Sequence, residues 1–134
     1  MSEKQIVSVY ESYGSRKLIH NMLRAYISPS MGEHSIDGIF TSSDHLATIV
    51  QEELEEMGKR VPEDIQIIGY DGLQFLNQGK PIVSSIAQPV HEIAKEAVRC
   101  LNELIANGKT EGNTKIPVSF QEGPTTKTLV TEEK

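Results

Sequence analysis

The chain has 134 residues, of which 37% are hydrophobic and 24% charged, with a formal net charge of −6 at pH 7. This size and composition are ordinary for one globular domain with a single core, and the negative charge disfavours unaided binding to polyanionic nucleic acid or membranes. We find no run of ~20 apolar residues, no signal-peptide core and only one cysteine, which excludes a membrane span and an internal disulfide and favours a cytoplasmic protein.

The first third of the chain alternates strand-like and helix-like patterns. Lys4–Tyr10 is short and rich in β-branched residues, which predicts a strand. Ser15 has the chemistry of a helix N-cap, and apolar residues follow it at helical spacing as far as Ile27. Ile36–Phe40 then predicts a second strand.

A second helix and a third strand follow directly. Either Ser43 or Asp44 is the predicted N-cap of this helix, whose apolar face extends to Met57, and Gly58 predicts its end. Ile65–Tyr70 is apolar enough to be a strand that is buried on both faces of a sheet.

The second half continues the alternation. The sequence predicts one helical turn over Leu73–Gln78, a strand over Ile82–Ala87, a helix over Pro89–Ala106, a strand over Thr114–Phe120 and an extended tail or last strand over Thr125–Val130. This order predicts an α/β fold with a parallel sheet, right-handed crossovers and helices on both faces.

The sequence lacks the motifs of metal, cofactor or covalent chemistry. It contains no phosphate-binding glycine loop and no nucleophile elbow. The four histidines, His20, His34, His45 and His91, are scattered without zinc-ligand spacing, and Cys100 lies on the apolar flank of a predicted helix. We therefore expect no metal, no cofactor and no enzymatic activity.

Asp44 and Asp71 are the one pair with a shared chemical context. Each follows an apolar predicted strand, so a parallel sheet would place both at the edge where such sheets bind ligands. A carboxylate there can accept hydrogen bonds from a polyol. Three alternatives stay open: Asp44 as a helix cap, Asp71 as a turn residue ahead of Gly72, and the two as an acid–base pair of a small enzyme, although no third supporting group is evident.

Three blocks of the sequence carry a family likeness. Asp37–Ala47 resembles the Asp-Gly-(Ile/Val)-Phe…(Asn/Asp)-Asp-x-x-Ala block of LacI/GalR transcriptional repressors, and Gly58–Asp71 resembles their Gly-x-x-Val-Pro-x-Asp…Gly-(Phe/Tyr)-Asp block. Ser84–Pro89 is similar to their Thr-Thr-(Ile/Val)-x-Gln-Pro. The blocks occur in order, and the resemblance spans about residues 5–126.

The resemblance implies the C-terminal part of a periplasmic-binding-protein-like effector domain. Residues 1–88 would belong to its C-terminal subdomain, residues 89–113 would be a helix that returns to a first subdomain, and residues 114–134 would be closing strands and a tail. The DNA-binding headpiece, the hinge helix and most of the first subdomain would be absent. The implied partners are a small-molecule effector, a second copy in a homodimer, and operator DNA through the headpiece only.

The family's effector contacts transfer to positions along the predicted sheet edge. Asp71 would bind effector hydroxyls or ring nitrogens, and the other implied contacts are Phe40, Ser43, Asp44, Gln88, Tyr10 and Tyr13. Gly72 follows Asp71 where members often carry a second acid or Asn, which resembles sucrose-type repressors and favours a sugar effector. Glu122–Thr126 lacks the arginine that members often carry before Ser-Thr, so no C-terminal ion pair is implied.

The predicted helix at Pro89–Ala106 would have an apolar stripe without the first subdomain to cover it. Exposing such a stripe costs several kcal/mol, so we expect the helix to repack on its own subdomain or on a second chain. The family also dimerises through surfaces that correspond to Leu46–Met57 and Leu73–Gln78, which makes Glu52, Glu53 and Gln74 candidate interface residues. A sugar-binding protein of a transport system is the alternative with the same fold.

Overall fold

The structure is a computed structural model, and it describes residues 15–27, 36–72, 76–77, 80–110 and 113–128. Within these ranges the elements are α1 (Arg16–Ile27), β1 (Gly38–Phe40), α2 (Asp44–Glu56), β2 (Gln66–Asp71), β3 (Leu76–Asn77), β4 (Lys80–Pro81), β5 (Ser84–Ala87), α3 (Val90–Asn107) and β6 (Ser119–Gln121). The strand predicted at Lys4–Tyr10 lies outside the described residues. The α/β class is confirmed.

The main sheet has the strand order β1-β2-β5-β6. Strands β1, β2 and β5 are parallel, with Phe40 opposite Ile68 and Asp71 opposite Ala87. Strand β6 is antiparallel to β5, because Ser119 pairs with Ala87 and the chain therefore re-enters the sheet at the edge it has just left. The sheet is mostly parallel, and β1, β2 and β5 all end at one edge.

Two predicted elements differ from the structure. The helical turn predicted over Leu73–Gln78 is wrong for Leu76–Asn77, which pairs antiparallel with Lys80–Pro81. This short ladder satisfies backbone groups that an isolated helical turn leaves unpaired. The strand predicted over Thr114–Phe120 is confined to Ser119–Gln121, because β5 is only four residues long and offers no further partner.

Local chemistry determines where the helices begin and end. Ser43, and not Asp44, is the N-cap of α2, since its side-chain oxygen accepts a hydrogen bond from the Leu46 N–H over 3.2 Å. Gly58 follows α2 with a φ of +74° and Gly108 follows α3 with a φ of +70°, a backbone conformation that glycine adopts without steric cost. The predicted end of α2 at Gly58 is confirmed, and α3 ends at Asn107, one residue beyond the predicted Ala106.

The core lies between the two N-terminal helices and the sheet. Helix α2 packs on β2, and α1 packs on α2. The buried apolar side chains of the described residues come from these helices and from the strands or the residues just before them: Leu23, Ile27, Ala47, Val50, Leu54, Ile65, Ile67 and Val83. This core fixes β1 and β2 beneath α2, and so determines where their carboxyl ends lie.

Thr125 joins two strands at their amino ends. Its hydroxyl donates to the Ile67 carbonyl over 2.8 Å and accepts from the Ser84 N–H over 2.8 Å, while its own carbonyl accepts from the Ile67 N–H over 2.9 Å. The described part of the predicted tail, 125–128, is therefore not a strand of the sheet. Thr125 lies between β2 and β5 on the amino side of their first residue pair, Ile68 and Ser84.

Helix α3 contributes no side chain to this core. Its apolar stripe is exposed at Val90, Ile93, Val98, Leu101, Leu104 and Ile105. The expectation that the helix repacks on its own subdomain is therefore wrong, because no side chain of α3 is buried while α2 packs on β2. Coverage by another body stays a prediction.

Candidate functional site

The carboxyl ends of the parallel strands bring three of the predicted effector contacts to one edge. Phe40 is the last residue of β1, Asp71 is the last residue of β2, and Gln88 follows β5. The Phe40 side chain is 63% exposed although it belongs to a strand, and its ring meets that of Tyr70 edge-on, with centroids 6.2 Å apart and planes at 73°. An exposed aromatic ring therefore contacts Tyr70, the residue before Asp71 at the carboxyl end of β2.

Asp71 and Gln88 are joined twice. The Gln88 side-chain amide donates to Asp71 Oδ1 over 2.8 Å, and the Gln88 backbone N–H donates to the Asp71 carbonyl over 3.1 Å. Asp71 has a φ of +106°, which residues with a Cβ rarely adopt and which often marks a functional position. Sequence reasoning placed both residues at this edge but did not anticipate their direct contact.

A second chain of hydrogen bonds supports the residue after Asp71. The Gly72 N–H donates to Ser85 Oγ over 3.2 Å, and Ser85 Oγ donates to Asp44 Oδ1 over 2.5 Å. Ser85 is fully buried on β5. Nothing in the sequence pattern singled out Ser85, because its role depends on a contact between elements that are 41 residues apart.

Ser43 and Asp44 are less available to a ligand than the resemblance implies. The Ser43 hydroxyl is engaged in capping α2, and Thr41 Oγ1 donates to the Ser43 carbonyl over 2.9 Å, which holds the turn after β1. The Asp44 side chain belongs to a residue that is only 2% exposed, and its Oδ2 has no hydrogen-bond partner among the described residues. Their role as effector contacts stays a prediction, and Tyr10 and Tyr13 lie outside the described residues.

A buried carboxylate joins α1 to α2 away from this edge. Glu53 is 3% exposed and accepts hydrogen bonds from Arg16 Nε over 2.5 Å and from His20 Nδ1 over 2.7 Å. The His20 hydrogen bond, followed by that of Arg16, holds the pKa of Glu53 below its ordinary value. Glu53 is thus engaged inside this chain, which contradicts its use as an exposed interface residue. Gln74 lies outside the described residues.

A groove lies elsewhere on the described surface. It has a volume of about 790 Å³ and is lined by Gln51, Lys80, Pro81, Ile82, Glu122, Gly123 and Pro124, so it is near the amino end of β5. The Asp71 edge lies at the opposite end of β5, where Asp71 pairs with Ala87. In the described ranges, no group of three or more acidic, histidine or cysteine side chains is arranged to hold a metal ion.

The edge offers complementary groups for a polyol. Asp71 can accept hydrogen bonds, the Gln88 amide can donate and accept them, and the exposed face of Phe40 can pack on apolar C–H groups. Asp44 and Asp71 are held by different partners, Ser85 and Gln88, so no shared acid–base geometry joins the two carboxylates. Asp71, Gln88 and Phe40 are therefore suited to binding a polyol.

The sequence matches the periplasmic binding protein-like domain family over residues 3–126. It is 44% identical over 69 residues to the ribose operon repressor of Bacillus subtilis, a match that covers 52% of this chain and 21% of that protein. It is 32% identical over 87 residues to the sucrose operon repressor of Streptococcus mutans, covering 65% of this chain and 27% of that protein. The chain thus spans about a quarter or less of the length of these relatives.

Solved structures of LacI-family regulators share the fold. A regulator from Enterococcus faecium with bound ribose is 30% identical with a TM-score of 0.62, and one from Arthrobacter in complex with lactose is 29% identical with a TM-score of 0.65. Each alignment covers 84% of this chain and 40% of the other chain. None of the described helices is both long and apolar enough to cross a membrane. The chain belongs to the periplasmic binding protein-like domain family, in the form that LacI-family regulators carry as their effector-binding domain.

Proposed function

We propose that this chain is the effector-sensing portion of a LacI-family transcriptional regulator and that its effector is a sugar. The observation that carries the proposal is the Asp71–Gln88 hydrogen bond at the carboxyl edge of the parallel strands, an edge that also presents the exposed ring of Phe40 at the end of β1. In the intact protein, sugar binding would change the affinity for operator DNA through a headpiece outside this chain. Asp71 is the central contact, and Phe40, Ser43, Asp44, Gln88, Tyr10 and Tyr13 complete the proposed set.

The chemistry of the edge supports a sugar over a flat, apolar ligand. An ionised carboxylate has about four lone-pair sites, so Asp71 can accept from two neighbouring hydroxyls while it keeps the Gln88 bond. Hydrogen bonds to a charged acceptor are stronger than neutral ones, which makes Asp71 the main source of specificity. Ribose and lactose are bound in two solved family structures that this chain resembles, and relatives are named as ribose and sucrose operon repressors.

A sugar-binding component of a transport system is the alternative function. The same strand-edge chemistry would serve it, since the fold alone does not distinguish a sensor from a carrier. The names of the relatives favour a regulator. Binding of the complete gene product to DNA upstream of its own gene, and a change in that affinity on adding the sugar, would separate the two.

We also propose that α3 is covered in the intact protein. Its six exposed apolar side chains support the organisation in which residues 1–88 form one subdomain, residues 89–113 return to a first subdomain, and residues 114–134 close the domain. A second copy of the chain could cover the same stripe. Mass measurement by light scattering at rising concentration tests this: a monomer that keeps α3 exposed would argue against coverage by a second copy.

A homodimer through the α2 side of the molecule is part of the proposal. Of the acidic candidates on α2, Glu52 remains half-exposed, although it pairs with Arg16 over 3.0 Å. Reversing the charge at Glu52 should weaken dimerisation, and it also removes the ion pair between Glu52 and Arg16, the residue that contacts the buried Glu53. An unchanged dissociation constant would place the interface elsewhere.

The function is tested by a thermal-shift panel on the complete gene product with D-ribose, lactose, sucrose, adenine and guanine. A sugar at 100 times its Kd should stabilise the protein by about 2.7 kcal/mol, and Asp71→Asn should abolish most of this gain. Asp64→Asn is the matched control, because Asp64 undergoes the same change but pairs with Arg60 away from the edge. If a purine base stabilises and no sugar does, or if Asp71→Asn responds like the parent, the proposal fails.

A further inference from the structure

One buried and one partly buried hydrogen bond connect α2 to the turn that carries Asp71. Asp44, the first residue of α2, accepts the Ser85 hydroxyl over 2.5 Å, and Ser85 Oγ accepts the Gly72 N–H over 3.2 Å. These contacts link α2, β5 and the end of β2. The proposed sugar contacts do not account for them, because Ser85 is fully buried.

The turn after β2 has an unusual backbone and needs support. Asp71 and Gly72 have φ values of +106° and +68°. A Cβ on Gly72 would lie 2.5 Å from the Ala87 Cβ, so the turn is pressed against β5. Such a conformation persists only where its surroundings hold it, and the N–H of Gly72 is the group within this turn that reaches Ser85.

Asp44 determines which way the Ser85 hydroxyl points. A serine hydroxyl has one proton, and a carboxylate can only accept, so the bond to Asp44 commits this proton and leaves the lone pairs of Ser85 for Gly72. Asp44 is 2% exposed and cannot readily exchange this bond for one to water. The space for its carboxylate exists because residue 69 is glycine, where a Cβ would lie 2.5 Å from Asp44 Oδ1.

We propose that Ser85, oriented by Asp44, is a positioning residue that holds Asp71 in its sugar-binding conformation through the N–H of Gly72. Asp44 then acts on Asp71 through Ser85, which donates to Asp44 Oδ1. Gln88 fixes the side chain of Asp71, and Ser85 fixes the backbone that follows it. This inference rests on the proposed function, since it assigns a role in binding through Asp71.

The neighbouring serine provides a matched control. Ser84 is as fully buried as Ser85, but its hydroxyl contacts the Gly123 carbonyl and Thr126 Oγ1, over 3.0 Å and 2.6 Å. Removing either hydroxyl deletes one buried polar group from β5. Only the loss at Ser85 leaves the Gly72 N–H without its acceptor.

The test compares Ser85→Ala with Ser84→Ala in the complete gene product, with two readouts. The first is hydrogen exchange of the Gly72 amide, followed by NMR with glycine-selective nitrogen labelling and no sugar present. The second is the Kd for whichever of D-ribose, lactose or sucrose stabilises the parent, measured by calorimetry. Ser85→Ala should speed Gly72 exchange and weaken sugar binding by about tenfold each, while Ser84→Ala changes neither beyond its effect on global stability.

Two conservative variants show whether the hydroxyl itself matters. Ser85→Thr keeps the hydroxyl, and the family block that this segment resembles has Thr at both serine positions, so slow Gly72 exchange should be retained. Asp44→Asn keeps an oxygen acceptor for Ser85 and should also preserve Gly72 protection.

Gly72 exchange that is unchanged in Ser85→Ala overturns the positioning role, whatever happens to the Kd. Faster exchange with an unchanged Kd would show that Ser85 holds the turn but would overturn the link to sugar binding through Asp71. If no sugar binds the parent, the proposed function fails, and the exchange measurement still decides whether Ser85 holds the turn.

Discussion

The side-chain amide of Gln88 donates to Asp71 Oδ1 over 2.8 Å, and the backbone N–H of the same glutamine donates to the Asp71 carbonyl over 3.1 Å. The two bonds connect the end of β2 to the segment that leads from β5 into α3. Gln88 therefore contacts both the side chain and the backbone of Asp71. A substitution at Gln88 should therefore change the conformation of Asp71.

Gln88→Ala should weaken sugar binding by about tenfold, because Asp71 loses the charge-assisted hydrogen bond that orients its carboxylate. Calorimetric titration of the complete gene product measures the change in Kd. Gln51→Ala is the control, since it removes the same group from α2, where Gln51 contacts Glu55. Equal affinities for the parent and Gln88→Ala would show that Asp71 needs no such support.

Gly69→Ala should lower the free energy of unfolding by about 1–3 kcal/mol, because its Cβ would lie 2.5 Å from Asp44 Oδ1 and 3.1 Å from the Asp44 Cα. Gly38→Ala is the matched change, since a Cβ there meets no atom within 4 Å, and it should be close to neutral. Urea unfolding of both variants measures the difference. Similar stabilities would mean that Asp44, at the start of α2, can shift to accept the methyl group.

The buried carboxylate of Glu53 should make stability depend on acid pH. Hydrogen bonds from His20 and then Arg16 hold its pKa below the ordinary value of 4.5, so the unfolded chain takes up the proton first as pH falls. The stabilisation is complete above pH 4.5 and is lost as pH falls through 4.5 and then through the lower folded-state pKa. The free energy of unfolding should therefore decline as pH falls below about 4.5.

Glu53→Gln should flatten this decline, because an amide does not titrate. Urea unfolding of the parent and of Glu53→Gln at several pH values provides the measurement. A slope in Glu53→Gln as steep as in the parent would assign the acid sensitivity to other carboxylates.

Leucine truncations should distinguish the core from the exposed stripe. Leu54→Ala should lower the free energy of unfolding by about 2–5 kcal/mol, because Leu54 is fully buried on α2. At low protein concentration, Leu101→Ala should lower the free energy of unfolding by less than about 1 kcal/mol, because Leu101 is 55% exposed on α3. A large loss at Leu101 would show that another body covers α3 under those conditions.

Local chemistry was enough to predict much of this molecule. Ser43 was one of two expected caps of α2, and Gly58 and Gly108 end helices as their freedom at positive φ predicts. The strands near Phe40 and Asp71 were also expected, because an apolar run followed by small polar residues indicates where a strand ends. The predictions failed where a short segment depends on a distant partner, as at Leu76–Asn77.

The sequence by itself determined the α/β class, the helix boundaries and the placement of Asp71 and Gln88 at one sheet edge, because these follow from periodicity, capping and strand direction. Only the tertiary structure decided that Ser85 bridges Asp44 to Gly72, that Glu53 is buried against α1, and that Thr125 joins β2 to β5. Each of these contacts joins residues 13 to 58 positions apart. Such pairs have no local pattern, since burial and hydrogen-bond partners are set by how the elements pack.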